Sequence, residues 1–478
     1  MTTPAPKTAV NAVSYNQDFT YVAVATPTGY VIHSTENGQR YHSDGTLGAL
    51  KICEMLFTSS LLCVVGDGDT PAMSPRRIKV LDARHRKGLG EISCASTVLA
   101  VRLNRARVIA RERTRCTVYE LGTLCAQQTI ETAACDKGLV ALSADAESSV
   151  LAYPGSETEG TVVVHDALNL CSITEVRAHR SPLAAIALNA DGTMVATASA
   201  RGTVIRVTSL PSGTKMWSFR RGATSSTIQS LNFGAMTFNP PLLCVSSDKG
   251  TAHVFAIEGE PREIDQDENR VNVDASPSTN GATQSTSVVA NTLAKSRGGV
   301  FGKLANFAGA AVSGISTRVQ PKKMITAARN AMEPSRAIAT VKLPHTQSTK
   351  WSVCALQPTP DSAADKWAPP ALDASQPARQ LEAQVSVVTS DAVFYDYNVR
   401  LTSDRSGFFS RGEPKENLAR LERECKLIDE MDDGSSSIVA ELPGRWIENA
   451  TTTQSDNAQE LRTNVSESMS QSMFDPQR

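Results

Sequence analysis

The 478 residues carry 48 Lys and Arg against 49 Asp and Glu, so no global charge directs the chain to nucleic acid or to an acidic substrate, and any anion site must be local. Hydrophobic residues make up 41% of the sequence, enough for a sizeable core, and the length suits two to three average domains or one large repeat fold. The opening MTTPAPKTAVNAV lacks the basic-then-apolar pattern of a signal peptide, and no apolar run approaches the roughly 20 residues that span a bilayer.

In chain order, a short apolar run, a polar turn and a second β-rich run recur. They are VAVATPTGYVIHS at Val22, LCVVGDG at Leu62, VIARERTRCTVYEL at Val108 and VLAYPGSETEGTVVVHD at Val150. MVATASARGTVIRVTS at Met194, LLCVSSDKGTAHVFAIE at Leu242 and VSVVTSDAVFYDYNV at Val385 follow. Successive anchors are 40, 46, 42, 44, 48 and 143 residues apart. The first five steps fit the blade period of about 40–45 residues in WD-type propellers. Each unit reads as strand, turn, strand, and such hairpins cannot bury their faces alone. The sequence therefore predicts an all-β, seven-bladed propeller of WD-repeat-like type over residues 10–401. Two packed β-sandwiches fit the regular period less well.

GDGDTP (Gly66–Pro71) reads as a turn rather than a metal site at Asp67 and Asp69. The ten cysteines form no C-x-x-C pair and no zinc spacing with histidine. That usage suits buried reduced thiols in a cytosolic chain. No metal motif, phosphate-binding glycine loop or nucleophile–base constellation is visible, so neither cofactor nor catalysis is expected.

The stretch SFRRGATSS (Ser218–Ser226) sets Arg220 beside Arg221. On an extended chain neighbouring side chains leave on opposite faces, so the two guanidinium groups cannot converge on one ligand. A solvated surface pair is the plain alternative.

The 143-residue step calls for an insertion, which composition places at 259–335 in blade 6, with β-rich sequence resuming at RAIATVKLP (Arg336–Pro344). From Ala275 to Met332 there is no acid but seven cations: Lys295, Arg297, Lys303, Arg318, Lys322, Lys323 and Arg329. Phe301, Leu304, Ala308, Ala311 and Ile315 share one helical face, with Lys303 off it. Five glycines there, each costing about 1 kcal/mol inside a helix, predict disorder in water and folding only on an anionic bilayer. An inert flexible loop is the alternative. A second polar stretch spans about 358–380. Residues 402–478 read as a polar, largely disordered tail, with one short helix around 417–432.

Set in this frame, HRSPLAAIALNADGTMVATASARGTVIRV…FRRG, from His179 to Gly222, resembles the PROPPINs, autophagy-linked propellers that bind phosphoinositides, and within them the animal WIPI type. PRRIKVLD (Pro75–Asp82), TVLAVRLNRARVI (Thr97–Ile109), LAYPGS (Leu151–Ser156) and RAIATVKLP extend the likeness over about residues 10–400. The resemblance implies a non-enzymatic scaffold that binds membranes containing phosphatidylinositol 3-phosphate (PI3P) and phosphatidylinositol 3,5-bisphosphate (PI(3,5)P2). It implies two rim pockets, fed separately by the two arginines. The first would use Arg220 with His179, Thr197, Ser199, Gly202, Thr203 and Arg206; the second Arg221 with Thr227, Ser247, Thr251 and His253. Arginine suits phosphate through bidentate charge-assisted bonds, hydroxyls fill the remaining lone pairs, and Gly202 and Gly222 admit backbone amides. Histidines beside a phosphate are expected in their protonated form. Thr203, Thr251, His179 and His253 can equally be structural residues.

The resemblance further implies a membrane-inserting role for Phe301, Lys303, Leu304 and Phe307, and autophagy-machinery partners through blades 2 and 3, with Arg105 and Arg107 as candidates. It implies a cytoplasmic monomer recruited to preautophagosomal, autophagosomal, endosomal, vacuolar or lysosomal membranes. A WD-type protein-interaction scaffold without lipid binding is the alternative.

Overall fold

The computed structural model describes residues 10–263, 334–344, 349–359, 380–402 and 419–428. Among the described residues thirty strands build seven sheets, each with four antiparallel strands taken in chain order, one of which gains two further short strands.

Blade 1 is β1 (Ala12–Tyr15), β2 (Tyr21–Ala25), β3 (Tyr30–Ser34) and β4 (Arg40–Asp44). Blade 2 is β5 (Leu50–Met55), β6 (Leu61–Gly66), β7 (Arg77–Asp82) and β8 (Lys87–Ser93). Blade 3 is β9 (Ala100–Leu103), β10 (Arg107–Arg111), β11 (Arg115–Glu120) and β12 (Ala126–Glu131). Blade 4 is β13 (Ala141–Leu142), β14 (Val150–Pro154), β15 (Gly160–Asp166) and β16 (Cys171–His179). Blade 5 is β17 (Leu183–Leu188), β18 (Met194–Ser199), β19 (Val204–Ser209) and β20 (Lys215–Arg220). Blade 6 is β21 (Ile228–Phe233), β22 (Leu242–Ser247), β23 (Thr251–Ala256) and, after the insertion, β26 (Ala339–Lys342). Blade 7 is β27 (Ser352–Pro358), β28 (Gln380–Thr389), β29 (Val393–Thr402) and β30 (Ala419–Lys426). The seven-bladed expectation holds, and the insertion falls between the third and fourth strands of blade 6.

Second strands such as β6 (LLCVVG) and β22 (LLCVSS) are apolar on both faces because each face meets a neighbouring blade. Between blades 5 and 6, Ala196, Ala198, Ile205, Val207 and Phe219 pack on Val245, Phe255 and Ile257. On the opposite face of blade 5, Val195 and Met216 meet Val176 and Ala178 of blade 4. Fourth strands are polar and exposed, as in β12 (AQQTIE).

The insertion leaves two short strands on the outer edge of blade 5. β24 (Arg262–Glu263) pairs antiparallel with β20 through Met216↔Arg262, and β25 (Ser335–Arg336) pairs parallel with it through Arg220↔Arg336. The sheet of blade 5 therefore reaches six strands. Phe301, Lys303, Leu304 and Phe307 lie outside the described residues, as does most of the 358–380 stretch.

Two expectations need correction. The helix read around 417–432 is a strand over most of its described part: β30 alternates exposed and half-buried residues, pairs along β29 and completes blade 7 from within the stretch read as tail. Its ARLERECK sequence misleads because Arg, Leu, Glu and Lys all favour helix, and tertiary pairing overrides that preference. The cysteines are only partly buried: Cys125 and Cys171 are exposed, whereas Cys53, Cys63, Cys94, Cys116, Cys244 and Cys354 are enclosed.

Blade 7 seals against blade 1 through Val388, Phe394, Leu427 and Ile428 on Val22 and Val24. Truncating a buried Leu to Ala costs about 2–5 kcal/mol. Leu427→Ala is expected to lower the unfolding free energy within that range, and a chain stopped after Thr402 to lose its cooperative melt. Denaturant unfolding of both variants checks this; a truncated chain melting like the full one would show that β30 does not close the ring.

Candidate phosphate-binding rim between blades 4, 5 and 6

Strand alternation decides where the arginines go. Phe219 is 1% exposed and its ring packs on Phe255 of blade 6, centroids 5.4 Å apart. Arg220, one residue on, belongs with Met216 on the face turned to blade 4. Arg221 returns to the blade 6 side. There its Nε donates to the Gly202 carbonyl (2.7 Å) and its Nη2 to the Thr224 carbonyl (2.5 Å). The dipeptide thus sends one guanidinium into each of two wedges.

In the wedge between blades 4 and 5, Thr197 sits opposite Arg206 on the neighbouring strand, and Arg206 opposite Ser218. Arg206 donates from Nη1 to the Ala178 carbonyl of blade 4, while its buried Nε has no acceptor. His179, 6% exposed at the end of β16, donates from Nε2 to the Thr197 carbonyl (3.2 Å) and lies 3.1 Å from the Thr197 hydroxyl. Ser199 is buried on the same strand. Thr203 is half-buried, and its carbonyl accepts the Arg221 backbone N–H at 3.0 Å. His179, Thr197, Ser199, Arg206 and Arg220 of the first predicted set therefore share the blade 4 face, whereas Thr203, beside Val204 opposite Arg220, alternates to the other face and Gly202 packs against Ser226 on the blade 6 side.

In the wedge between blades 5 and 6, a chain of contacts runs Ser247–Thr251–His253–Thr340, each step 3.1–3.2 Å. Thr251, His253 and Phe255 alternate onto the face toward blade 5, where Arg221 arrives. Thr227 is exposed, and its carbonyl accepts the Asp248 backbone N–H at 3.0 Å. The second set also comes together.

Gly202 has a steric reason. Its φ is +59°, and a Cβ there would lie 1.8 Å from the Ser226 carbonyl oxygen. Gly222 has none, since a Cβ would meet nothing within 4 Å. Ser226 and Asp248 escaped the sequence reading. The buried Ser226 hydroxyl donates to the Asp248 carboxylate, tying the loop after FRRG to the β22–β23 turn. Partial burial opposes the charge of Asp248, but hydrogen bonds from Ser226 and Thr227 prevail and hold it below the usual carboxylate range. Arg180, Arg262 and Arg336, near Arg206 and Arg220, were likewise missed, although Arg180 directly follows a predicted site residue.

The partner candidates divide. Arg107 donates from Nε to the Ala167 carbonyl (2.8 Å), committing it to the joint between blades 3 and 4. Arg105 is exposed, its guanidinium 4.8 Å from the Phe57 ring centroid.

The protein surroundings of both histidines favour the neutral form. Burial, then Arg206, pulls His179 down to about 4; burial, then Arg221, does the same to His253. Both are neutral at pH 6–7.5. The unfolded chain, with histidines near 6.5, binds extra protons between pH 6.5 and 4, so these residues make stability fall as pH drops through that window. A His179→Gln, His253→Gln double variant is expected to lose less stability than wild type between pH 7 and 5. Parallel losses for the two proteins would refute the assignment.

The sequence model described as PROPPIN matches residues 9–270. Autophagy-related protein 18 of Aspergillus terreus is 32% identical over 438 residues, 84% of this chain and 99% of that relative. Autophagy-related protein 18b of Arabidopsis thaliana is 40% identical over 248 residues, 52% of this chain and 68% of its own length. Among solved structures, the crystal structure of Kluyvelomyces marxianus Hsv2 matches with a TM-score of 0.56 at 15% identity, covering 88% of this chain and 100% of that one. The complex of KlAtg21 with the coiled-coil of AgAtg16 matches with a TM-score of 0.55 at 18% identity, covering 87% and 99%. At those identities the structures speak for the fold alone. The family match over more than half the chain, together with a relative aligned over nearly its whole length, leads to one conclusion: this chain belongs to the PROPPIN family.

Proposed function

We propose that the chain is a non-catalytic effector of PI3P and PI(3,5)P2. It is recruited from the cytoplasm to forming autophagic or endolysosomal membranes, where it holds partner proteins. The observation that carries this reading is the projection of Arg220 and Arg221 into different wedges, each already lined by hydroxyls and a histidine. Neutral His179 and His253 act as hydrogen-bond partners for phosphate or hydroxyl oxygens, leaving charge recognition to the arginines. In the second wedge Arg221 exchanges part of its hold on backbone carbonyls for a phosphate. The exposed Arg105 on Phe57 suits an acidic partner segment, whereas Arg107 stays with Ala167.

Two weak sites engaging one membrane multiply affinity by about 10²–10⁴. Losing one charge-assisted contact costs about 1.5–3 kcal/mol at its own site. Arg220→Ala and Arg221→Ala are each expected to leave reduced liposome binding, and the double variant almost none. With soluble short-chain headgroup, wild type should titrate two equivalents and each single variant about one. A single wild-type equivalent abolished by either change would mean that both arginines clamp one ligand.

For the insertion, the acid-free amphipathic stretch supports membrane insertion by Phe301, Leu304 and Phe307, with Lys303 toward the headgroups. Replacing the three apolar residues with Ser is expected to weaken retention on anionic vesicles while leaving the propeller's melting temperature unchanged. Unchanged retention would sink this part of the proposal.

A further inference from the structure

An acid beside an anion site calls for an explanation. Asp248, at the β22–β23 turn, lies near Arg221: burial pulls that guanidinium below its usual range, and the Asp248 carboxylate works against the pull. The same carboxylate repels any phosphate that comes to Arg221. On charge alone, the wedge between blades 5 and 6 would bind anions better without it.

What Asp248 holds is the loop that holds Arg221. Residues 222–227 follow β20 and are fastened from both blades. From blade 6, Asp248 accepts the hydroxyl of buried Ser226, and its own backbone N–H donates to the Thr227 carbonyl at 3.0 Å. From blade 5, the Arg201 carbonyl accepts the Ser225 hydroxyl at 3.0 Å and the Ser226 backbone N–H at 3.2 Å. The Ser226 carbonyl fills the space beside Gly202. Thr224, between these fastenings and β20, offers its carbonyl to Arg221 Nη2, and Gly202, next to Arg201, offers its own to Nε. Both acceptors of Arg221 therefore sit on backbone that the Ser226–Asp248 contact clamps.

The clamp bears on binding through entropy. A mobile arginine side chain loses rotamer freedom when a ligand immobilises it. Arg221 is already held through two of its five N–H groups, and among the described residues its Nη1 makes no hydrogen bond. A guanidinium held at one side and open at the other meets a phosphate with less ordering left to do.

We propose that Asp248 and Ser226 are positioning residues of the second wedge: their contact fixes the carbonyls of Thr224 and Gly202, and these aim Arg221 at the phosphate. The proposal rests on the phosphoinositide reading above and adds to it two residues that act through Arg221 rather than on the ligand.

Positioning and charge predict opposite signs, which makes the role measurable. The probe is soluble short-chain PI3P, titrated against proteins that carry Arg220→Ala so that the second wedge is read. Asp248→Ala removes a repulsive acid, yet it is expected to weaken binding about three- to tenfold, because Arg221 becomes mobile. Asp248→Asn keeps an acceptor for Ser226 without the charge and should bind at least as tightly as its parent. Ser226→Ala keeps the acid but removes its donor, and should weaken binding as Asp248→Ala does; as the milder change, it keeps the test open should Asp248→Ala melt early. On an Arg221→Ala background, where the first wedge is read, all three changes should leave affinity within about twofold. Tighter binding by Asp248→Ala would make the acid a simple repulsive charge and overturn the proposal. So would parent-like binding by Ser226→Ala, equal losses in the Ala and Asn variants of Asp248, or an equal fall in the first wedge. If wild type binds neither the soluble headgroup nor PI3P liposomes, the phosphoinositide reading itself fails and the positioning role falls with it.

Discussion

Everything at the rim depends on closure of the ring. Blade 1 is β1–β4 and blade 7 is β27–β30, so among the described residues no strand is exchanged between first and last blades to lock the circle. Closure instead falls to side chains and a few cross-seam hydrogen bonds. Leu427 is 1% exposed against the seam cluster, and its carbonyl accepts from His33 Nε2 at 2.7 Å. Arg423 donates to the Glu36 carbonyl at 2.7 Å. If this seam opened, blades 1 and 7 would each expose an apolar face now buried against the other.

Within that ring one core aromatic sets the direction of both arginines. Phe219, enclosed between blades 5 and 6, cannot rotate the end of β20 without breaking its contact with Phe255. The pleat then gives Arg220 and Arg221 opposite exits. The wedges are not independent, however. Arg221, on the blade 6 side, holds the carbonyl of Gly202, which the family resemblance assigns to the other pocket. Gly202 in turn sits against Ser226, whose hydroxyl reaches Asp248. A single wall thus serves both sides, and its geometry tolerates no side chain at Gly202.

Each of the seven sequence anchors, from Val22 to Val385, falls on the second strand of a blade and leads through a turn into the third. Those strands are buried on both faces, so their sequences are continuous runs of Val, Ala, Leu and Cys that stand out against the turns. Fourth strands left no such mark. β12 is AQQTIE and β30 is ARLERECK, because one edge and much of the surface face water. The directions of the two rim arginines were legible through strand parity, and the family motif supplied the candidate site residues. Arg262 and Arg336 were not legible. Their placement comes from two-residue strands, far apart in sequence, that meet on one edge, and no local pattern encodes such a pairing. The neutral histidines were missed for a different reason: their proton affinity follows from enclosure and a nearby guanidinium, both properties of the assembled blades.

The stems on β20 have a consequence for solubility. An outer strand with unpaired amides invites the same edge of another molecule to dock against it. Here β24 covers the edge at Lys215 and Met216, β25 covers it at Phe219 and Arg220, and Trp217 between them donates its indole N–H to the Gly259 carbonyl at 3.0 Å. The insertion, carried by blade 6, therefore shields the edge of the neighbouring blade 5. Removal of 264–333 alone leaves β24 and β25 in the sequence, whereas excision of the whole span from Gly259 to Arg336 bares the edge beside Arg220 and turns the ring into a template for intermolecular sheet growth.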